Sequence, residues 1–231
     1  MNNEKEENNI SSVFPLFKSL TEQELELLNS RIKCNIYRKG EIIYREGSKI
    51  TGCYCVNKGI IKIYKTGIDF KPQIVAFAIK GDITGYRSVL SNEVACTTAE
   101  VLKEAEIYYI PSDIIFNLIK LNSDFALSLI QLTCRELDQA NIFIKDIAQK
   151  TVKQRLAEVL LMLEKTFKTD SDGFIAVNLT REDISSIVGT ATESVIRILG
   201  DFKKENFISI KGKKIKILDK KKLSLISDSL F

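Results

Sequence analysis

The stretch from Leu179 to Leu218, LTREDISSIVGTATESVIRILGDFKKENFISIKGKKIKIL, constrains this chain more than any other. Thr180 followed by Asp183 is a capping-box pattern, in which each side chain can satisfy an amide that a helix start leaves orphaned. Ile184, Ile187 and Val188 then recur at helical spacing and give one apolar face. Gly189 falls where the chain must turn sharply, and glycine takes the positive φ of such a turn at little cost. Thr190 and Glu193 repeat the capping pattern. Beyond them Val195, Ile198, Leu199 and Phe202 form an i, i+3, i+4, i+7 series. Two apolar stripes meeting across a glycine turn describe a helix-turn-helix. Phe207, Ile208 and Ile210, then Ile215, Ile217 and Leu218, read as two short strands joined at Lys211 to Lys214, which adds a wing.

With Val195, Ile198 and Leu199 turned inward, the second helix leaves Glu193, Ile196 and Arg197 outside, with Thr192 at its start. Arginine can bond guanine O6 and N7 bidentately, glutamate can accept from cytosine N4, and an apolar side chain can meet a thymine methyl. An isolated Glu-x-x-x-Arg is an ordinary helix pair. Within a helix-turn-helix the same residues face the major groove, so Glu193, Arg197, Thr192 and Ile196 are the candidate base readers. Between Asp201 and Lys222 nine lysines stand against three acids, whereas the whole chain carries a formal net charge of only +4. The positive charge is therefore local. Beside a reading helix it fits phosphate contact, with Thr180, Thr190, Ser194, Lys211, Lys213 and Lys214 as the candidate backbone-binding residues.

Upstream, short β-branched runs at 36–37, 41–44, 52–56, 60–64, 74–79 and 105–110 alternate with Lys39-Gly40, Glu46-Gly47, Lys58-Gly59, Thr66-Gly67 and Lys80-Gly81. Turns at this spacing predict an antiparallel β-roll or jelly roll. A helix from Thr21 to Ile32, opened by a Thr21/Glu24 capping box, precedes it. From Pro111 to about Lys150 the pattern becomes helical. One seam there steps by three and four through Leu127, Ile130, Cys134, Leu137, Asn141, Ile144 and Ala148. That period predicts a coiled-coil homodimer with Asn141 as a buried register-fixing group. A helix lying on its own roll is the other reading, and Leu129, Phe143 and Ile147 supply a second apolar face for it. A two-fold would present two reading helices to a palindromic double-stranded site.

The chain has no histidine, which removes the usual ligand for zinc and haem and the usual general base. No paired carboxylates, nucleophile–base set or phosphate loop replaces it, so an enzyme is not expected. The five cysteines, at 34, 53, 55, 96 and 134, are odd in number and scattered, which fits a reducing compartment. Cys53 and Cys55 share one face of a strand, where they read either as a metal or redox pair or as small core residues. The opening MNNEKEENN is polar and acidic, and no run approaches a membrane span, so a cytoplasmic location is expected.

A glycine-punctuated β-roll, a long helix and a winged helix-turn-helix, in that order, resemble the superfamily of the cyclic-AMP receptor protein and the fumarate/nitrate reduction regulator (Crp/Fnr). The match covers almost the whole chain. LTREDISSIVGTATESVIRIL carries it most closely, with Glu193 and Arg197 at the positions those families use to read bases. Thr192 stands where the cyclic-AMP receptor type has another DNA-contacting arginine, so GTATE-V-R is nearer to the fumarate/nitrate type. The resemblance implies a homodimeric transcription regulator that binds promoter DNA and contacts RNA polymerase.

Its sensor pocket departs from the pattern. The family's cyclic-nucleotide cassette has Gly-Glu-Leu and, further on, Arg-Ser, with the glutamate on ribose and the arginine on phosphate. Here the matching stretches are Gly85-Tyr86-Arg87 and Ala95-Cys96-Thr97-Thr98. Cyclic AMP held in the usual manner is therefore not expected, because a buried cyclic phosphate would lack its counter-charge. An unknown small-molecule effector would meet Gly85, Tyr86, Arg87, Thr97 and Asn141. Arg87 reads either as an anion ligand at a helix start or as a surface arginine. The N-terminal cysteine cluster of the fumarate/nitrate regulator is absent, so an iron–sulfur cluster is not supported; without histidine haem is not supported either, and no metal site is expected.

These readings predict an α+β chain: a flexible N-terminus over 1–12, a cyclic-nucleotide-binding-like β-roll over 13–122, a dimerisation helix over 123–150 and a winged helix-turn-helix over 151–231. The expected function is effector-responsive, sequence-specific DNA binding. The alternative is a small-molecule-binding regulatory module that reads no promoter directly.

Overall fold

The computed structural model describes residues 10–228 and divides into two compact units, Met1–Asp138 and Gln139–Phe231. The division falls inside the longest helix. No described helix is long and apolar enough to cross a membrane.

The first unit opens with α1 (Ile10–Val13), a 3-10 turn at Pro15–Phe17 and α2 (Glu22–Asn29). Residues 1–9 of the expected flexible N-terminus lie outside the described residues. Residues 10–12 depart from that expectation: Ile10 and Phe14 are buried with Phe17 and Leu28, so apolar contact fixes the segment. The Thr21/Glu24 capping box forms in both directions and starts α2.

Six antiparallel strands follow: β1 (Lys33–Tyr37), β2 (Ile42–Tyr44), β3 (Gly52–Thr66), β4 (Pro72–Ala78), β5 (Ile83–Thr84) and β6 (Thr98–Pro111). The order is β1-β6-β3-β4, with β2 also on β6 and β5 also on β3. The two long strands pair from Gly52↔Pro111 to Tyr64↔Thr98 and carry the roll. Lys58-Gly59, read above as a turn between two strands, instead sits inside β3. There the register shifts, and a Cβ on Gly59 would lie 2.5 Å from the Ala105 Cα. The glycine makes a bulge that lets β3 bend against β6.

Residues of β3 reach two cores. On one side Cys53, Cys55 and Ile110 pack with Phe14, Phe17, Leu28, Ile115, Leu118, Phe125 and Leu129. Inside the roll, Tyr44, Val56, Ile61, Ile63, Ala99, Val101 and Ile107 pack together. Cys53 and Cys55 are fully buried, and burial pushes the Cys53 thiol up to about 12. They are small core residues, protonated at neutral pH. Helix α3 (Tyr86–Ser91) bridges β5 and β6, and α4 (Ser112–Leu121) follows β6. The helical run predicted from Pro111 breaks at Asn122. Its side chain accepts from the Phe125 amide and donates to the Ser19 carbonyl, so α5 (Ser123–Gln149) starts afresh.

The second unit contains the end of α5, α6 (Val152–Phe167), α7 (Arg181–Val188), α8 (Thr192–Lys204), β7 (Ile208–Lys211), β8 (Lys214–Ile217) and α9 (Lys220–Asp228). Leu156, Leu160, Ile184, Val188, Val195, Leu199, Phe202, Ile208 and Leu223 are buried in it. The sequence reading did not single out α9, a short lysine-rich helix. Its signals are the Asp219 carboxylate, which accepts from the Lys222 amide, and the buried Leu223 one turn later.

Candidate nucleic-acid interface

Helices α7 and α8 join as the capping logic requires at one end and differently at the other. Thr180 and Asp183 form the full capping box, so the Thr180 hydroxyl serves the helix start rather than standing free for phosphate. Gly189 closes α7 at φ 70, ψ 55, and its amide donates to the Ser185 carbonyl. The second box, Thr190/Glu193, does not form. The Thr190 amide also turns back to Ser185, which puts Ala191 at the N-cap of α8 without a side-chain cap. Two consequences follow. Glu193 is released to solvent, and the Thr192 hydroxyl lies 3.0 Å from that of Ser185, tying the two helices together. Thr192 is thus a positioning residue rather than an open reader.

One face of α8 remains uncovered. Glu193, Ile196 and Arg197 are exposed along it, while Val195, Ile198, Leu199 and Phe202 fill the core behind. Ser194 is half-buried beside them. Arg197 reaches Asp201 at 3.9 Å with its side chain 71% exposed, a contact too long and too wet to hold it.

The wing is a two-residue hairpin with Lys211 opposite Lys214 and Gly212 at φ 60. Lys211 and Lys213 are exposed at its tip. Lys214, placed above among the phosphate contacts, points elsewhere: its Nζ bonds the Asp170 carboxylate at 2.8 Å, and the Lys216 Nζ bonds the Asp172 carbonyl at 2.9 Å. Both lysines pin the wing to the loop before α7. The Lys214 hydrogen bond, then the Phe174 amide, hold the Asp170 carboxyl below its usual range. A carboxyl lowered on folding contributes stability above its unfolded value, and that contribution is lost as pH falls through the folded one. In Lys214→Met, NMR titration is expected to show Asp170 moving up toward the ordinary range. An unchanged value would assign the shift to the backbone amides alone.

Two arginines that sequence reasoning passed over set the geometry. The Arg155 guanidinium donates to the Val188, Gly189 and Lys150 carbonyls, clamping the start of α6 to the turn between α7 and α8. Arg181 donates to the Gly212 carbonyl at 3.1 Å and ties the wing tip to the first residue of α7. Only the tertiary fold brings these partners together, across 33 and 31 residues of chain.

In the first unit, Gly85 starts α3 at φ 80 and Tyr86 is buried behind it. Arg87 pairs with Glu136 of α5 at 3.3 Å, which gives it a carboxylate partner from its own chain. Thr97 is buried, and the Cys96 amide donates to Ser88, so the start of β6 meets α3. Between them stands Tyr44, 7% exposed, its hydroxyl hydrogen-bonded to Thr84 and its ring 5.4 Å from that of Tyr54. Burial raises the Tyr44 phenol, and the Thr84 and Thr97 hydroxyls oppose the shift. Of the expected pocket residues, Arg87 and Thr97 lie near Tyr44. Gly85 instead lies against Ile50 and Tyr54, Tyr86 packs in the roll-side core, and Asn141 is exposed and belongs to the second unit. Among the described residues no group of three or more Cys, Asp or Glu is placed to hold a metal ion.

Along α5 the whole predicted seam is exposed. Leu127, Ile130, Leu137 and Ile144 are 51–64% open to solvent, and Cys134, Asn141 and Ala148 are exposed with them. Of the second face, Leu129 is buried in the roll-side core, while Phe143 and Ile147 are also exposed.

Comparison with known proteins divides the chain in the same way. Residues 35–122 match the cyclic nucleotide-binding domain and residues 154–226 match the Crp-like helix-turn-helix domain. The anaerobic regulatory protein of Haemophilus influenzae is 28% identical over 87% of this chain and 79% of its own length. The fumarate and nitrate reduction regulatory protein of Yersinia pestis is 27% identical over 90% of this chain and 84% of its own length. Among solved structures, FixK2 from Bradyrhizobium japonicum shares the fold with a TM-score of 0.77 at 24% identity, over 87% of this chain and 99% of that one. A crp/fnr family regulator from Eubacterium rectale superposes with a TM-score of 0.78 at 22% identity, over 94% and 99%.

Proposed function

We propose how this chain, which belongs to the Crp/Fnr superfamily of DNA-binding transcription regulators, recognises its target. The observation that carries the proposal is the exposed face of α8, where Glu193, Ile196 and Arg197 share one stripe, in the same unit as the exposed wing-tip Lys211 and Lys213. Entering the major groove, that stripe reads base edges: Arg197 a guanine, Glu193 a cytosine amine. Thr180 caps α7, Thr192 ties α8 to it, Thr190 and Ser194 flank the groove, and Lys211 and Lys213 neutralise phosphates.

The apolar seam of α5 supports a homodimer that presents two reading helices to a palindromic promoter site, with RNA polymerase as the downstream partner. Superfamily members act by binding, and we assign this chain the same role rather than catalysis. For the roll we propose that any effector differs from cyclic AMP in its usual pose. Tyr86 stands at the cassette's glutamate position, the stretch Ala95-Cys96-Thr97-Thr98 that matches its Arg-Ser holds no arginine, and Arg87 already has Glu136 as its counter-ion.

The test is quantitative binding to duplexes selected from a random pool. Lys213→Ala is expected to weaken every sequence alike and to reduce the slope of log K against log salt by about 0.9 per protomer. Retained affinity for the selected site in Glu193→Ala/Arg197→Ala would favour the alternative, a small-molecule module that reads no promoter directly.

A further inference from the structure

Within α7 and α8 a single large apolar side chain is left in water, Ile196, at 54% exposure. A lone exposed isoleucine is ordinary on a protein surface. Its place here is not, since it lies three residues after Glu193 and immediately before Arg197, on the exposed stripe of α8. A branched aliphatic side chain at that point can neither donate nor accept, so it contributes to recognition only by burying itself against something equally apolar.

The major-groove edges of guanine, cytosine and adenine offer hydrogen-bonding groups, whereas thymine alone adds a methyl. We infer that Ile196 selects a thymine by packing on its 5-methyl group, one base step or less from the guanine read by Arg197. This inference rests on the DNA-reading assignment of α8. The spacing supports it: a helix advances 1.5 Å per residue, so Glu193 to Arg197 spans roughly two base-pair steps, with Ile196 between the ends of that span. The same contact disfavours the other bases, because a cytosine or adenine amine facing Ile196 would lose its water without gaining a partner.

The duplex enriched by the wild-type protein from a random pool supplies the probe. Each thymine of a half-site is replaced in turn by deoxyuridine, which removes the methyl and nothing else. One position in each half-site is expected to lose about fourfold in affinity, the worth of one buried methyl. Ile196→Ala is expected to bind the thymine and uracil duplexes equally. Ile196→Val, which keeps a branched side chain at the same point, is expected to retain part of the difference. Both substitutions are at an exposed site, and circular dichroism melts check that the fold persists. If no sequence is enriched, the DNA-reading assignment fails and takes this inference with it. If a site is enriched but every uracil duplex binds the wild-type protein like its thymine parent, or Ile196→Ala keeps the same fourfold difference, the role of Ile196 alone is overturned.

Discussion

A Leu137→Glu/Ile144→Glu variant is expected to be a folded monomer that has lost most of its affinity for a two-half-site duplex. Both side chains are more than 60% exposed in the protomer, so neither substitution opens a cavity. What it removes is the reason for two protomers to meet. Leu127, Ile130, Leu137 and Ile144 form a stripe along a 27-residue helix, and a two-fold partner would cover eight such side chains at once. Burying each half-exposed leucine or isoleucine contributes about 1 kcal/mol or somewhat more. The sum is comparable with the roughly 4–15 kcal/mol lost in rigid-body freedom on association, so on the proposed two-fold the loss of these side chains would tip the balance toward monomer. Glutamates at 137 and 144 would also face their own two-fold copies as like charges. The second half-site then ceases to be an intramolecular event, and affinity falls by about 10²–10⁴. Sedimentation analysis and titration of duplexes with one and two half-sites measure the two effects together. A variant that stays dimeric would place the two-fold elsewhere on the molecule.

The parts of this molecule that were legible in the sequence are those whose determinants lie within one turn or one hairpin of each other. The capping boxes at Thr21 and Thr180, the apolar stripes of α7 and α8 and the Ile208/Ile217 hairpin all depend on residues a few positions apart. Where local logic failed, a competing contact had won. Thr190 and Glu193 have the spacing of a capping box, but the left-handed Gly189 swings the Thr190 amide back to Ser185, and the helix starts one residue later. Gly59 looks like a turn because it is glycine, and it makes a bulge because Ala105 of the neighbouring strand lies against it. Other features needed the tertiary fold: Lys214 meets an aspartate 44 residues away, and Arg155 reaches carbonyls 33 and 34 residues along. The sensor region was hardest for the same reason. Its character is set by which side chain fills the space between α3 and β6, and Tyr44 arrives there from a strand on the far side of the roll's sequence.

Arg197→Ala is expected to separate reading from mere basicity. Two accounts of this arginine make opposite predictions. If it is a solvated helix residue, its removal disturbs only the 3.9 Å contact with Asp201. That contact is exposed, so stability should change by no more than about 0.5 kcal/mol and DNA binding by about as much as for any one surface cation. If it bonds guanine O6 and N7, the loss is roughly 1–3 kcal/mol at each half-site, and a dimer loses it twice. The two losses act on different duplexes as well. A phosphate contact weakens all sequences and flattens the salt dependence, as expected for Lys213, whereas a base contact leaves non-specific affinity almost untouched and erases discrimination at one base pair. The decisive comparison is therefore between Arg197→Ala and wild type on the selected site and on the same site with that guanine replaced. For wild type the two duplexes should differ by the full 1–3 kcal/mol per half-site; for Arg197→Ala they should converge. Convergence with an unchanged melting temperature leaves the reading role as the only account that fits. A persistent difference would move recognition of that base to Glu193 or to the shape of the duplex.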